Sequence, residues 1–401
     1  MTDRIYADHA ATTPVRNEVI AAMLPYFGTF GFNPSSQHAE GRAARAALDE
    51  ARATVAGLLG ARPREIVFTG GGSEADTLAI VGGARAARGR GRHVVTAATE
   101  HHAVLHAMDV LRDEGFAVTV LGVNSGGLVD PDAFGAALRP DTVLASIMLA
   151  NNELGTLGPV AKLAGIARDR NVAFHCDAVQ APGRVPLDVG ALGVDLLSLS
   201  AHKFYGPKGV GVLYVRSGTP LVPLVVGGGQ EAGLRAGTEN VAGIVGLARA
   251  LALAVAELPA ETARLVKLRE RFEAGLAAAI PGLRINGLGA PRLPNVSSVA
   301  FRGIDAATFL VRLDLDGLAV SAGSACAAGS SEPSHVIAAI GAPRWAELGT
   351  LRFSFGKLTS EQDVERLVSM LPEAVRSVRV DPADLGTEQC GLVADRVEGR
   401  S

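Results

Sequence analysis

The sequence predicts a three-layer α/β domain on a mixed, mostly parallel sheet of seven strands, followed by a smaller α+β unit. Three observations carry this. Short apolar runs alternate with helix-like stretches through the first two-thirds of the chain. The stretch from Ser200 to Gly209 is too short for a parallel crossover, which takes roughly a dozen residues or more, so the strand after it should run antiparallel. After about residue 255 the alternation gives way to a charged helix, Pro/Gly-rich turns and alternating strand-like segments.

Taken in order, strands are expected at Glu65–Thr69, His93–Thr96, Ala117–Leu121, Val143–Met148, Val172–Cys176, Leu196–Ser200 and Gly209–Val215. Helices are expected between them at Ser73–Arg88, Ala103–Glu114, Pro131–Leu138 and Val160–Asn171. Val241–Leu258, interrupted by Arg249 and Glu257, reads as a buried helix rather than a bilayer span. A separate charged helix, Glu261–Leu276, opens the smaller unit, with strands at Asn295–Phe301 and Thr350–Phe355 and helices at Ala306–Asp314 and Ser360–Leu371. The expected division is 15–255 for the large domain and 1–14 with 256–380 for the small one. The segment 381–401 is expected to form a loosely held tail.

Composition narrows the function. The 401 residues are 48% hydrophobic and 20% charged with net charge −3, enough for one large core and a second, smaller one. No Lys/Arg run marks a nucleic-acid or anionic-membrane surface. The residues after Met1 have no signal-peptide apolar core, so a cytoplasmic location is expected. Cys176, Cys326 and Cys390 lie far apart without metal-ligand spacing, which argues against a disulfide framework or a structural zinc site.

Six groups of residues could carry chemistry. Lys203 ends an apolar run and sits in Ser200-Ala-His202-Lys203 before a Gly/Pro turn. A partly desolvated amine there can form an imine with an aldehyde cofactor. Gly70-Gly-Gly72-Ser73 joins a strand to a helix, with Ser73 as the expected N-cap and backbone N–H groups aimed at an anion such as phosphate; an ordinary Gly-rich turn is the competing reading. Asp177 closes a buried strand and needs a cation, for which a protonated pyridine nitrogen would serve; a helix-capping role competes. Cys176 beside it reads as a small buried hydrophobe. Thr99-Glu100-His101-His102 and Asn151-Asn152-Glu153 follow two more strands, offering an imidazole to stack and an amide to bond a ring hydroxyl, with the histidine doublet ambiguous.

The last two groups lie in the smaller unit. Cys326 is flanked by Gly, Ala and Ser, as a reactive thiol on a loop would be, or as an incidental cysteine in a linker. Arg352, inside an apolar strand, could grip a carboxylate or serve a structural salt bridge. Phosphate cradle, acid, amide, imidazole and lysine falling after successive strands is the combined signal.

Together with Tyr6-Ala-Asp-His-Ala-Ala-Thr-Thr-Pro14, Asn33-Pro-Ser-Ser-Gln-His38, Arg235-Ala-Gly-Thr238 and Ser324-Ala-Cys326, these motifs resemble the class V aminotransferase superfamily, fold-type I pyridoxal-phosphate enzymes. More narrowly they resemble its cysteine desulfurases of the housekeeping iron–sulfur and nitrogenase-associated group, over residues 5–375. The resemblance implies that Lys203 carries the pyridoxal phosphate and moves a proton. It implies that Asp177 faces the ring nitrogen, Gln180 and Asn152 face the ring hydroxyl, and His101 stacks on the ring. Gly72, Ser73, Ser200 and His202 would bind the phosphate, joined by Thr238 from the neighbouring subunit of a homodimer. Asn152 and Arg352 would hold the substrate, and Cys326 would take sulfur from L-cysteine as a persulfide, leaving L-alanine.

Two departures stand out. Thr77-Leu78 replaces an Asn common among relatives, and the tail 381–401 does not resemble the segment that docks to the iron–sulfur scaffold. Competing readings are a selenocysteine lyase, another class V aminotransferase, and a non-catalytic sulfur-carrier partner. A nucleotide-binding dehydrogenase falls on its glycine spacing. The acceptor of the sulfur, whether in iron–sulfur assembly, tRNA or DNA thiolation or cofactor synthesis, is not set by the fold.

Overall fold

The computed structural model describes residues 4–323 and 333–379. Its strands in chain order are β1 (Ile5–Tyr6), β2 (Ile66–Thr69), β3 (His93–Ala97), β4 (Ala117–Leu121), β5 (Thr142–Ser146), β6 (Ala173–Asp177) and β7 (Leu196–Ser200). They continue with β8 (Gly211–Val215), β9 (Arg284–Asn286), β10 (Val296–Ala300), β11 (Leu318–Ala319) and β12 (Thr350–Ser354). Cys326, Cys390 and the tail 381–401 lie outside the described residues.

The large sheet has the order β2-β8-β7-β6-β5-β3-β4. β4, β3, β5, β6 and β7 pair in parallel, while β8 runs antiparallel to both β7 and β2. The short link after Ser200 therefore returns as an antiparallel strand, as its length requires. β5, β6 and β7 are central and almost wholly buried because helices cover both faces. β4, at the edge, keeps partly exposed side chains. One of the covering helices, Ala39–Leu59, buries Ala44, Leu48, Ala51, Val55 and Leu59, the three-and-four spacing of one helical face. It stops at Gly60, whose φ of 70° a side chain would strain.

The sequence-level division of the helices near residue 258 does not hold. Val241–Ala279 is one continuous helix, capped by the Asn240 side chain, with Pro259 inside it. Proline removes one donor without ending the helix because packing holds both halves. The first half packs on the helices Asn17–Met23 and Ala39–Leu59, and the second on Glu361–Val378. As one piece it is long and apolar enough to cross a membrane, contrary to expectation, yet half of its most apolar window is buried within the protein.

Its second half also supplies Leu265, Leu268, Phe272 and Leu276 to a second core. That core packs against the antiparallel sheet β12-β10-β9 and the short parallel pair β1-β11. Phe272, Phe301, Phe309, Phe353 and Phe355 are fully buried there, each worth roughly 1.5–3 kcal/mol relative to exposure.

Candidate active site

The ends of the parallel strands open into a cleft, the place where ligands sit in such sheets. Gly72, Ser73, His101, Asn152, Asp177, Gln180, Ser200, His202, Lys203 and Arg352 all line it. Ten residues separated along the chain thus meet at one place. Thr238 is exposed and does not line this cleft.

Lys203 is presented by a single 3-10 turn, Ala201–Lys203, directly after β7. The turn is tight: a Cβ on Gly206 would come 2.8 Å from the Ala201 Cβ. The segment around residues 8–13 lies over it, with Thr13 N donating to the His202 carbonyl and Tyr205 N donating to Thr13 Oγ1. Lys203 Nζ donates to the carbonyls of Ala10 and Ala11, both at 2.7 Å. His202 Nδ1 lies 3.1 Å from Thr12 Oγ1, and burial lowers its pKa to about 4.

At the glycine turn the expected cap is corrected. The N-cap of the helix Gly72–Thr77 is Gly71, at φ 153° and ψ −176°, a conformation open to glycine. Ser73 is inside the first turn, so its hydroxyl caps nothing and faces the cleft. A Cβ on Gly72 would sit 3.0 Å from Val179 Cγ2 and 3.3 Å from Ser200 Cβ.

Asp177 ends β6 and accepts from Val179 N at 2.9 Å. Burial pushes its carboxyl up, while His101 and Lys203 pull it down. His101 resolves the doublet: it faces the cleft and caps the helix His102–Asp113, its Nδ1 accepting from Ala103 N at 3.1 Å. Burial lowers its pKa, which favours the neutral ring. Asn151 is structural, its Oδ1 accepting from the amides of Glu153 and Leu154 and its Nδ2 donating to Thr99. Asn152 is the asparagine in the cleft. Gln180 donates to the Ala10 carbonyl, and its buried Oε1 has no partner among the described residues.

Arg352 reaches the cleft from β12 and is 2% exposed. Its Nη1 donates to the Asn152 carbonyl and its Nη2 to Asp8 Oδ1, both at 2.8 Å. Salt bridge and cleft position are therefore combined.

A family model for class-V aminotransferases matches residues 5–367. The cysteine desulfurase IscS of Dictyoglomus turgidum is 46% identical over 379 residues, covering 94% of this chain and 96% of that one. That of Methanosarcina thermophila is 48% identical over 375 residues, covering 94% and 93%. A solved NifS-like protein superposes with a TM-score of 0.88 at 38% identity, covering 93% of this chain and all of that one. The chain belongs to the class-V aminotransferases, among their cysteine desulfurases.

In this class-V aminotransferase the sequence reading missed a buried layer beneath the cleft. Asp76, on the helix after the glycine turn, lines the cleft with Oδ1 unpartnered among the described residues, 3.6 Å from His175 Nε2. Burial pushes Asp76 and Glu100 well up, and His175, held between the hydroxyls of Ser146 and Ser198, down to about 3. Cys176 is fully buried with its thiol pushed up, which makes it inert. A signal existed: Asp76 is the polar member of a helical stripe whose other positions, Ala79, Ile80 and Gly83, are buried. Asp8 was visible within a motif, but its partner lies 344 residues away.

Proposed function

We propose that this protein is a pyridoxal-phosphate-dependent cysteine desulfurase that converts L-cysteine and the thiol of Cys326 into L-alanine and a Cys326 persulfide. The balance is complete: the substrate's C–S bond breaks, its β-carbon gains a hydrogen, and the sulfur joins Cys326 without an external oxidant or reductant. The observation that carries the reading is Lys203 and Asp177 in one cleft with Arg352 on the facing wall.

The residues present fit the cofactor. The space beside Gly72 that a Cβ would fill is bounded by Ser200 and Val179, and a helix N-terminus of backbone N–H groups adjoins it. Gly72, Ser73, Ser200 and His202 would hold the phosphate, and the unpartnered Gln180 Oε1 and the Asn152 amide would meet the ring hydroxyl. Bound there, the cofactor supplies an electron sink for carbanion chemistry at the substrate Cα.

The chain's own groups do the rest. Asp177, awkwardly buried as an acid, gains the positive partner it needs opposite the ring nitrogen. His101 offers a neutral flat face. Arg352, fixed by Asp8 and Asn152, orients the substrate carboxylate bidentately. Lys203 holds the cofactor and moves a proton at the substrate Cα. Thr238 completes the phosphate site of a second copy in a homodimer. In support, Val225 shares a groove with Ser73 and Arg235, and neighbouring Val226 is 78% exposed, an apolar edge that a second copy would cover.

Incubation of purified protein with L-cysteine tests the reading: alanine and a persulfide on Cys326 are expected. Pyruvate, a requirement for a keto acid, or unchanged turnover in Cys326→Ser would defeat it.

A further inference from the structure

Glu153 belongs to the Asn151-Asn152-Glu153 turn, yet nothing in the proposed chemistry uses it. It is 1% exposed and does not line the cleft. Its carboxyl instead lies where the chain enters and leaves the segment 324–332, which carries Cys326.

On the leaving side, Ser334 Oγ donates to Glu153 Oε2 at 2.5 Å. The same hydroxyl accepts from the amides of Val336 and Ile337 and so caps the helix His335–Ala339. A serine hydroxyl has one hydrogen and two lone pairs. With both lone pairs taken by the backbone, its hydrogen has only Glu153 to go to. On the entering side, a Cβ on Gly323 would fall 2.8 Å from the same Oε2 and 3.2 Å from Ser334 Cβ, at a φ of 65°. One carboxyl oxygen therefore bonds the leaving end and lies beside the entering one.

Those ends are tied to the site as well. Ser321 pairs through its backbone with Arg352, at 2.7 and 3.3 Å. His335 Nε2 lies 2.9 Å from the Glu100 carbonyl. Glu153 is itself fixed by its amide donating to Asn151 Oδ1. Its second oxygen, Oε1, is buried with no partner among the described residues. Burial pushes the carboxyl up despite Ser334, Arg352 and His335, so a neutral acid or amide suits the place.

We propose that Glu153 is a positioning residue, tying Ser334 in place beside Gly323 and so fixing the base of the segment that carries Cys326. The inference rests on Cys326 being the sulfur acceptor. Because the carboxyl works as a hydrogen-bond acceptor, glutamine replaces it and alanine does not.

The test compares wild type, Glu153→Ala, Glu153→Gln and Ser334→Ala in the full chain loaded with cofactor. Peptide-resolved mass spectrometry follows alkylation of Cys326 by iodoacetamide without substrate, and single turnovers with L-cysteine follow persulfide formation. In Glu153→Ala, alkylation should rise about fivefold, the worth of one hydrogen bond. Persulfide formation should fall about tenfold as the nucleophile loses its bearing. KM and cofactor absorbance should stay unchanged. Ser334→Ala should move the same way, the double variant should be no worse than either single one, and Glu153→Gln should stay within about twofold of wild type.

Alkylation and persulfide rates in Glu153→Ala within about twofold of wild type would overturn the proposal. So would equal damage in Glu153→Gln, or loss of cofactor binding in both Glu153→Ala and Ser334→Ala. Alkylation needs no turnover, so it still decides the role of Glu153 if the wild type makes no persulfide.

Discussion

On the wall built by the seven-stranded sheet, each group that faces the cleft comes at or just after the end of its own strand. Gly72 and Ser73 follow β2, His101 follows β3, Asn152 follows β5, Asp177 ends β6 with Gln180 beyond it, and Ser200 ends β7 with His202 and Lys203 beyond it. The opposite wall is assembled differently. Arg352 comes from the small antiparallel sheet, is aimed by Asp8 from the start of the chain, and rests on the carbonyl of Asn152. The first wall is set by strand direction, because parallel strands end on one edge and present their next few residues there. The second is set by ties between distant segments, so each of its members depends on the others. Damage on the first wall should remove a chemical role outright, whereas damage on the second should loosen substrate placement.

The largest effect expected is from Lys203→Ala, which should lower alanine release from L-cysteine by about a thousandfold or more while the fold melts as before. Residual turnover within tenfold of wild type would break the contrast. Next, Arg352→Gln should raise KM for L-cysteine roughly 10- to 150-fold, through the loss of about 1.5–3 kcal/mol of charged hydrogen bonding. Asp8→Asn should move KM the same way by a smaller factor, since it leaves the guanidinium in place but unaimed. A fall in kcat with KM unchanged in both would place Arg352 with the chemical wall.

Gly72→Ala sharpens the comparison within the first wall. Its methyl group would press on Val179 and Ser200 and should weaken cofactor binding by about 1 kcal/mol, roughly fivefold in equilibrium titration of the apoprotein.

The remaining effect concerns stability rather than chemistry. Because His175 titrates near 3 when folded and near 6.5 when unfolded, the wild type loses stability as pH falls from 6.5 toward 3. His175→Gln removes that dependence. The stability difference between the two proteins should be flat above pH 6.5 and should shift in the variant's favour by up to about 1.4 kcal/mol per pH unit below it, measured by urea unfolding.

Much of the first wall was legible because its signals are local. An apolar run followed by Gly70–Gly72, by His101 or by Asp177 marks both the strand and its end. The return of β8 followed from chain length alone. The sequence was less informative where several local signals competed. Ser73 looked like a helix cap, yet Gly71 takes that place because its backbone conformation is closed to serine. The change of pattern after about residue 255 looked like a boundary between helices, yet packing on two cores carries one helix through Pro259. The two-residue strands β1 and β11 are too short to show a period, and so were not foreseen. The burial of Glu100 is not legible in its neighbours, since burial is a property of the assembled core.

The sequence alone determined which residues stand at the strand ends, because alternation, turn glycines and link lengths act over a few neighbouring residues. Only the tertiary structure decided that Asp8 meets Arg352, that Glu153 bonds Ser334 beside Gly323, and that Asp76 in the cleft lies 3.6 Å from the buried His175. Those contacts join segments whose closeness is fixed by the packing of two cores on one long helix, and no short stretch of chain encodes it.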